Sequence, residues 1–402
     1  MRFCEIPGQK EVKQQLVHMV QQNRLSHALL FLSREGSGAL SLAQALAQYI
    51  VCERTTGSKE TKSKPVSLFD EPSPAPDNLV PLMDSCGECA GCKKASHLVH
   101  PDIHFSYPVI TKKPGEKPKS VDFITEWREF VKEQPYGNTY DWLQFIKAEN
   151  KQGNITSEEC MDIIRKMNLK SFESEYKILI IWMPELLGKE GNKLLKLIEE
   201  PPPSTLFILV AENESLILPT IVSRTQLIKI PLLRPIDIEA SLELKEGIPV
   251  QKAAMLSILS EGNYREALQQ LQLATDDWDQ LLKDWLNSIV KTGPAVQLKI
   301  IEEISKLGRE KQKQFIKYFT HILQHSIRLQ AGGDSMTQQQ SLHEFSQRIN
   351  RLCNLEQKEA IVNELDKAAY YIERNANAKM LFHALTIRLY HIISNKSVIL
   401  VQ

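Results

Sequence analysis

Apolar positions divide the chain into a first half of alternating strands and helices and a second half of helices alone. Short continuous apolar runs in the first half predict buried strands of a parallel sheet. These runs are residues 27–32, 176–182, 205–211 and 225–233. Apolar residues three and four positions apart predict the helices between them, at residues 10–24, 41–50 and 192–200. Strands that alternate with helices indicate a parallel sheet covered on both faces.

After Pro235 the apolar spacing is almost entirely helical. Trp278, Leu281, Leu282 and Trp285 open a clear amphipathic pattern, which Gly293-Pro294 is expected to end. Further amphipathic segments continue to about residue 395, with a polar loop at 331–340. The pattern predicts three domains. They are an α/β domain at 1–232, a small helical domain at 233–275 and an all-helical domain at 276–402.

Two polar segments interrupt the first domain. Residues 57–82 are rich in serine, proline and charge, which predicts an insertion without a packed core. Residues 107–150 carry Trp127 and Trp142 among lysine-rich and glutamate-rich helices. This second segment could contact a partner or could serve only for packing, and the sequence alone does not choose between them.

The charge balance limits the classes of function. Lys+Arg and Asp+Glu both number 49 in 402 residues, so the net charge is zero. This balance argues against a protein that coats nucleic acid by bulk charge, and leaves DNA contacts that are local or made through partners. The chain has no apolar run of about 18 residues and no signal-like N-terminal core. We therefore expect a cytoplasmic protein with reduced cysteines.

A glycine-rich turn joins the first predicted strand to the helix that follows it. The phosphate-binding loop has the pattern G-x-x-x-x-G-K-[ST], in which the lysine contacts phosphate and the hydroxyl holds Mg²⁺. Here Ser33 replaces the first glycine, Gly38 supplies the second, and Ala39 and Leu40 replace the two functional residues. Gly36 and Gly38 could form only a tight turn, or could bind nucleotide weakly without turnover. We expect no productive ATP binding by this chain.

The second strand also lacks what an ATP site requires. Strand 176–182 should end in acidic residues that hold Mg²⁺, but Met183-Pro184 follows it and the nearest acid is Glu185. Two independent parts of the site are thus missing. The sequence predicts a chain that does not hydrolyse ATP by itself.

A cysteine cluster with C-x2-C-x2-C spacing lies in the first domain at Cys86, Cys89 and Cys92, and Cys52 is a fourth candidate. Four thiolates would close a tetrahedral structural Zn²⁺ site, with a knuckle at about residues 52–100. An iron–sulfur cluster and unligated thiols are the alternatives, although the further cysteine of an iron–sulfur run is absent. We interpret the remaining cysteines as isolated thiols: Cys4, Cys160 and Cys353.

Several motifs follow one another in a specific order along almost the whole chain. They are Pro7-Gly8-Gln9, RLSHALLF from Arg24, the glycine-rich loop, the cysteine knuckle with His100-Pro101-Asp102, NKLLKLIEEPP from Asn192, LPTIVSR from Leu218, and Asn375-Ala376-Asn377. Together they resemble the delta-prime subunits of bacterial DNA polymerase III clamp loaders. That family is similar to the gamma/tau subunits and belongs to the AAA+ class.

The resemblance implies a non-hydrolysing clamp-loader subunit with an AAA+ domain, a helical lid and an all-α collar. Such a subunit assembles with gamma/tau and delta subunits and helps to load the sliding clamp on primed DNA. Ile181 and Trp182 align with the acidic pair of active members. Ser223-Arg224 resembles the family's S-R-C motif, with Thr225 in place of the cysteine. This motif implies that Arg224 is an arginine finger for a neighbour's ATP.

Arg265 lies in the segment GNYREAL, which resembles the lid motif G-x-x-R-x-A-L. In active members this arginine touches nucleotide, whereas here we expect a structural role.

Two other functions compete with this interpretation. An active AAA+ ATPase with an altered loop is disfavoured by the joint absence of a lysine at Ala39 and of the acidic pair. A zinc-dependent nucleic-acid binder is disfavoured by zero net charge and by the absence of a basic and aromatic strip.

Overall fold

A computed structural model describes residues 1–55, 84–111, 117–148, 151–273, 278–290, 294–330, 340–374 and 376–394. The chain forms two compact units. The first comprises Met1–Ile248 with Ser260–Ala267, and the second Pro249–Leu259 with Leu268–Gln402. The three-domain division stays a prediction, and the predicted insertion at 57–82 lies outside the described residues.

A five-stranded parallel sheet forms the centre of the first unit, with the strand order β2-β3-β4-β1-β5. The strands are β1 (Ala28–Ser33), β2 (Ile103–Ser106), β3 (Lys177–Trp182), β4 (Thr205–Ala211) and β5 (Gln226–Ile230). The four strands predicted from apolar runs are confirmed. The run Ile-His-Phe-Ser of β2 was not predicted, because it is short and half polar. Every residue of β3 and β4 is buried, as expected for central parallel strands.

The described part of the first unit contains nine complete α-helices. They are α1 (Lys10–Gln21), α2 (Ala39–Ile50), α3 (Ala90–Ser96), α4 (Ile124–Glu133), α5 (Thr139–Phe145), α6 (Ser157–Met167), α7 (Leu195–Glu199), α8 (Pro219–Val222) and α9 (Pro235–Glu246). Short 3-10 helices occur at Phe3–Glu5, Ser120–Phe123, Pro184–Leu194 and Glu214–Leu216. The helix predicted at 192–200 is confirmed as an α-helix over Leu195–Glu199. Its first three residues belong to the 3-10 segment, which is interrupted at Gly188.

Aromatic residues of the 107–150 segment pack into the core of the first unit. Trp127 and Trp142 are both 0% exposed. Trp127 stacks on Tyr107 with ring centroids 4.0 Å apart, and lies 5.2 Å from the ring of Trp182 on β3. These two tryptophans therefore serve packing, and their rings are not available to a partner.

The second unit is helical throughout its described part. Its helices are α10 (Val250–Leu259), the end of α11 (Tyr264–Leu273), α12 (Trp278–Val290), α13 (Pro294–Lys306), α14 (Arg309–Gln330), α15 (Gln340–Leu352), α16 (Leu355–Glu373) and α17 (Ala378–Ser394). Trp285 is buried in its core and donates from Nε1 to Thr386 Oγ1 at 3.0 Å. Asn354 caps α16: its Oδ1 accepts the backbone N–H of Gln357 at 2.8 Å, and its own backbone N–H donates to Gln357 Oε1 at 2.9 Å, as in a capping box.

Candidate functional site

The glycine-rich turn leads from β1 into the N-terminus of α2. Gly36 and Gly38 have φ of +72° and +86°, a region that residues with a Cβ rarely adopt. Ser37 Oγ donates to the carbonyl of Arg34 at 2.6 Å and closes the turn. The predicted strand–turn–helix arrangement of a phosphate loop is confirmed.

Apolar packing has replaced the side chains that such a loop uses. Ala39 and Leu40 are buried at the start of α2. The nearest hydroxyl, on Ser41, donates to the carbonyl of Pro135 at 3.0 Å. That carbonyl belongs to the segment after α4, so the hydroxyl contributes to packing between two elements.

Tyr136 fills the space in front of the turn. A Cβ placed on Gly38 would lie 3.0 Å from the Tyr136 ring, which is itself buried. The cavity that remains at the turn is about 30 Å³. Small-molecule pockets are roughly 300–1,000 Å³, so this cavity admits a water molecule or two at most. A groove of about 940 Å³ lies beside it along α1 and β5, and Ser33 and Arg34 border both spaces.

The segment that begins α11 covers the other side of the turn. Tyr264 donates its backbone N–H to the carbonyl of Gly36 at 3.1 Å. Asn263 Oδ1 lies 1.8 Å from where a Cβ on Gly36 would be. Arg265 Nη2 donates to Asp141 Oδ1 at 2.6 Å and Arg265 Nη1 to Glu35 Oε1 at 2.8 Å. The guanidinium is therefore engaged by two carboxylates of its own chain.

The end of β3 carries no acid that faces the turn. Ile181 is fully buried and Trp182 is 4% exposed, with its ring in the aromatic cluster around Trp127. Glu185 Oε1 accepts the backbone N–H groups of Glu212 and Asn213 at 2.6 and 2.8 Å, so it fixes the end of β4. Burial, together with the neighbouring Glu35 and Glu185, raises the pKa of Glu212 to about 7.

The four cysteines predicted to form a cluster come together beyond the end of α2. The Sγ atoms of Cys52, Cys86, Cys89 and Cys92 all lie within 4.8 Å of one another. Those of Cys86 and Cys92 are 3.8 Å apart. Tetrahedral metal–sulfur bonds of about 2.3 Å place two sulfurs about 3.8 Å apart. The cluster could therefore hold one metal ion.

The pKa values of these thiols differ, because burial and the hydrogen bonds to sulfur act on each thiol to a different extent. Burial raises the pKa of Cys86, but the backbone N–H groups of Cys89 and Glu88 outweigh it and lower the pKa to about 6. Burial raises the pKa of both Cys89 and Cys92. A bound cation would be needed to keep all the thiols ionised together. Outside the cluster, Cys4 is exposed, and Cys160 and Cys353 are buried.

Arg224 lies in the turn between α8 and β5, at the amino-terminal ends of the strands. The glycine turn lies at their carboxyl-terminal ends. Arg224 Nη1 donates to the carbonyl of Thr220 at 2.9 Å, and its Nε lies 3.3 Å from Glu199 Oε2. The register of β1 with β5 runs from Leu29 opposite Gln226 to Ser33 opposite Ile230. These four steps span about 13 Å, and both Arg224 and the glycine turn lie beyond them at opposite ends. The Arg224 side chain cannot reach the turn of its own chain.

Sequence patterns did not identify the residues that fill the turn. Tyr136 and Asp141 are far from Gly36 in the chain and lie in no motif that suggests this contact. Asn263 lies in the lid-like segment GNYREAL, but that pattern assigns nucleotide contact only to the arginine. Asp141 follows Asn138 in a capping box at the start of α5, which marks a helix start but not its ion pair with Arg265.

The sheet order, the glycine turn after β1 and the helical second unit define an AAA+-type protein. The sequence profile of the family described as "DNA polymerase III, delta subunit" matches residues 8–74 and 77–234, more than half of the chain. The chain belongs to this family. The resemblance to delta-prime subunits that its motifs predicted is confirmed.

Curated relatives agree with this assignment. The chain is 25% identical over 261 residues to the DNA polymerase III subunit delta' of Bacillus subtilis, covering 65% of this chain and 58% of the relative. It is 24% identical over 334 residues to the subunit tau of the same organism, covering 80% and 46%. A delta' subunit of Yersinia pestis is 24% identical over 314 residues, covering 69% and 72%. The chain thus spans about half the length of the first two relatives.

Among solved structures, a DNA polymerase III gamma-subunit-related protein of Thermotoga maritima superposes with a TM-score of 0.34 and 15% identity, covering 93% of this chain and 98% of that one. A superposition this loose says nothing about function. Within the described residues, no helix is both long and apolar enough to cross a membrane.

Proposed function

We propose that this protein is a non-hydrolysing subunit of a bacterial clamp loader, part of the DNA polymerase III holoenzyme in the cytoplasm. It would assemble with gamma/tau and delta subunits, which load the sliding clamp on primed DNA. The observation that carries the proposal is the filled glycine turn. Tyr136 packs against Gly38 and Asn263 against Gly36, only about 30 Å³ remains at the turn, and Ala39 stands where the pattern has its phosphate-binding lysine.

In this proposal, ATP is bound by neighbouring subunits and Arg224 contributes to one of their sites. Arg224 lies at the amino-terminal end of β5, whereas the glycine turn lies at the carboxyl-terminal end of β1. This position supports the role, because a residue there is directed away from the chain's own turn. The Arg224 side chain is 33% exposed and is held by one carbonyl and one surface carboxylate. Exposed ion pairs of this kind contribute about 0–1 kcal/mol, so Glu199 could release the guanidinium at little cost. A positioned guanidinium stabilises charge on a transferring phosphoryl group.

Zinc is the metal that best suits the cysteine cluster. Four thiolates in a tetrahedral arrangement without a fifth ligand are typical of structural zinc. Cys52 follows α2 directly and the other three ligands surround the start of α3, so the ion would fasten the knuckle to the end of that helix. The ion would supply folding energy and take no part in catalysis.

The helical second unit would form the collar that joins the subunits. It exposes large apolar side chains on several of its helices, among them Leu298 on α13, and Met380 and Ile387 on α17. A chain truncated near residue 275 should fail to assemble with gamma/tau and delta subunits. Assembly of the truncated chain with them would refute the collar.

ATP binding and turnover by the purified chain with Mg²⁺ test the central claim. We expect no turnover and no binding beyond a weak association, because the turn has neither space nor a lysine. The paired variant Ala39→Lys/Leu40→Ser should remain inactive, since Tyr136 and Asn263 still fill the turn. Steady hydrolysis by the unmodified chain would instead favour the alternative, an active AAA+ ATPase with an altered loop.

The arginine finger requires a separate test in the assembled loader. Arg224→Ala should lower the ATPase rate of the loader about 10³-fold or more at the affected site, while this chain stays folded. Arg234→Ala is the matched control, because Arg234 is exposed and lies beyond the other end of β5. A loader with unchanged ATPase activity after Arg224→Ala would reject the role.

A further inference from the structure

A groove runs along the outer edge of β2, the end strand of the sheet. Its volume is about 260 Å³. Residues 103–105 of β2 form the floor, Val121 and Ile124 of the α4 side form one wall, and Ile163 and Met167 of α6 form the other. We call this space the edge groove. Its lining includes neither the glycines of the turn, nor any of the four clustered cysteines, nor Arg224.

The backbone of β2 directs hydrogen-bonding groups into the edge groove. Ile178 of β3 donates its N–H to the carbonyl of Asp102 at 2.8 Å, and Ile103 lies opposite Ile178 in the register. In a parallel pair, alternate residues bond to the same neighbour. His104 and Ser106 therefore face β3, whereas the carbonyl of Ile103 and both backbone groups of Phe105 face outward.

These outward groups are available to another strand. The N–H of Ile103 is already used by the carbonyl of His100 at 3.2 Å. In the described part of the chain, no element pairs with the outer side of β2. An edge of this kind is a template for strand addition, in which backbone bonds give affinity and pockets for alternate side chains give specificity.

Both walls of the edge groove carry apolar side chains, beside Arg128 on the α4 wall and Glu159 and Lys166 on the α6 wall. These apolar side chains suit the alternating side chains of an added strand. One set of side chains would meet Ile124 and the other Ile163 and Met167. Val121 stands at the mouth of the groove and is 50% exposed.

The positive charge of Arg128 in the groove favours extended peptides that carry an acidic residue. Arg128 lines the α4 wall and donates from Nε to the carbonyl of Leu98 at 3.1 Å, which fixes its stem and leaves its Nη groups for a ligand. The acid in the groove, Glu159, already accepts the N–H of Ser120 at 2.8 Å. A carboxylate on the bound peptide would therefore find a fixed guanidinium and no competing free acid.

We propose that the β2 edge binds an extended segment of a partner protein, which adds as a sixth strand with apolar side chains in both walls and an acidic residue at Arg128. The proposal does not depend on the clamp-loader function, because it rests only on the β2 edge and its walls.

Selection of a random octapeptide phage library on the full-length chain tests it. The enriched peptides should alternate apolar residues and share one aspartate or glutamate. Binding of the synthesised consensus octapeptide, measured by fluorescence polarisation, should weaken at least about tenfold with Val121→Glu. Leu169→Glu is the matched control, because Leu169 is also exposed, at 68%, but does not line the groove. It should leave the affinity unchanged.

Two further measurements separate strand addition from other kinds of binding. N-methylation of the alternate peptide amides that face β2 should abolish binding, while methylation of the remaining amides should not. Arg128→Met should weaken the acidic peptide about tenfold and its glutamine analogue by much less. The proposal is overturned if no peptide is enriched, if Val121→Glu binds as well as the unmodified chain, or if the position of N-methylation has no effect.

Discussion

The ring of Tyr136 lies edge-on against the ring of Tyr264, with centroids 4.8 Å apart and planes inclined at 74°. Tyr136 comes from the segment between α4 and α5, and Tyr264 from the start of α11. Ser241 and Tyr264 share a hydroxyl hydrogen bond of 2.9 Å that fixes the second ring. The two rings close over the glycine turn, so the chain's own side chains stabilise a turn that in other P-loop proteins is stabilised by phosphate.

Removal of the Tyr136 ring should destabilise the first unit. Tyr136→Ala deletes a buried ring, and we expect the free energy of unfolding to fall by about 3–5 kcal/mol in urea titrations. Tyr136→Phe keeps the ring and should cost about 1 kcal/mol or less. Neither variant should hydrolyse ATP, because the lysine and the acidic pair are still missing. A Tyr136→Ala chain as stable as the unmodified one would show that the ring does not support the turn.

Restoring an acid at the end of β3 should cost stability. Trp182→Asp removes a ring packed 5.2 Å from Trp127 and places a carboxylate at a position that is 4% exposed. We expect a loss of at least about 3–5 kcal/mol, or failure to fold, because a cavity and an unpaired buried charge are created together.

Trp182→Phe is the control for that variant. It keeps an aromatic ring and no charge, so circular dichroism should report a folded chain with a modest loss of stability. Equal thermal stability of the aspartate and phenylalanine variants would contradict the packing role of this position.

The strands were predictable and the filling of the turn was not, for a physical reason. β1, β3 and β4 are buried on both faces, so their local sequences are continuous apolar runs that can be recognised without the fold. The cysteine cluster was also predictable, because three of its ligands are spaced by a local turn. Tyr136 and Asn263 act through contacts with residues about 100 and 230 positions away in the chain, which no local pattern records.

Arg265 and Asp141 should show strong energetic coupling. The Arg265 side chain is 12% exposed and that of Asp141 is 8% exposed. Loss of Arg265 leaves the buried Asp141 without its counter-charge, so Arg265→Met should destabilise by about 3–5 kcal/mol. Asp141→Asn should cost less, because Glu35 still pairs with Arg265. The double variant should cost clearly less than the sum of the two. Purely additive effects in this double-mutant cycle would mean that the pair acts only by packing.

Metal removal should loosen the knuckle selectively. The purified chain should contain one zinc per molecule by elemental analysis, and Cys52→Ser or a strong chelator should release it. Hydrogen exchange should then rise in α3 and at the end of α2, because these elements carry the ligands. Cys4→Ser is the control and should retain the metal, since Cys4 lies outside the cluster. Less than one zinc per chain, or a brown colour, would contradict this assignment.

His104, on the edge strand β2, should make the free energy of unfolding decrease as the pH falls below about 6.5. Burial, and then the charges of Lys166 and Lys177, lower the pKa of His104 to about 4. The folded chain therefore favours neutral His104, and this contribution to stability is fully present above the unfolded pKa of about 6.5. As the pH falls from about 6.5 towards 4, the unfolded chain takes up the proton first and about 3 kcal/mol is lost. An NMR titration should place the His104 midpoint near 4, and His104→Gln should remove this part of the pH dependence. A midpoint above 6 would contradict it.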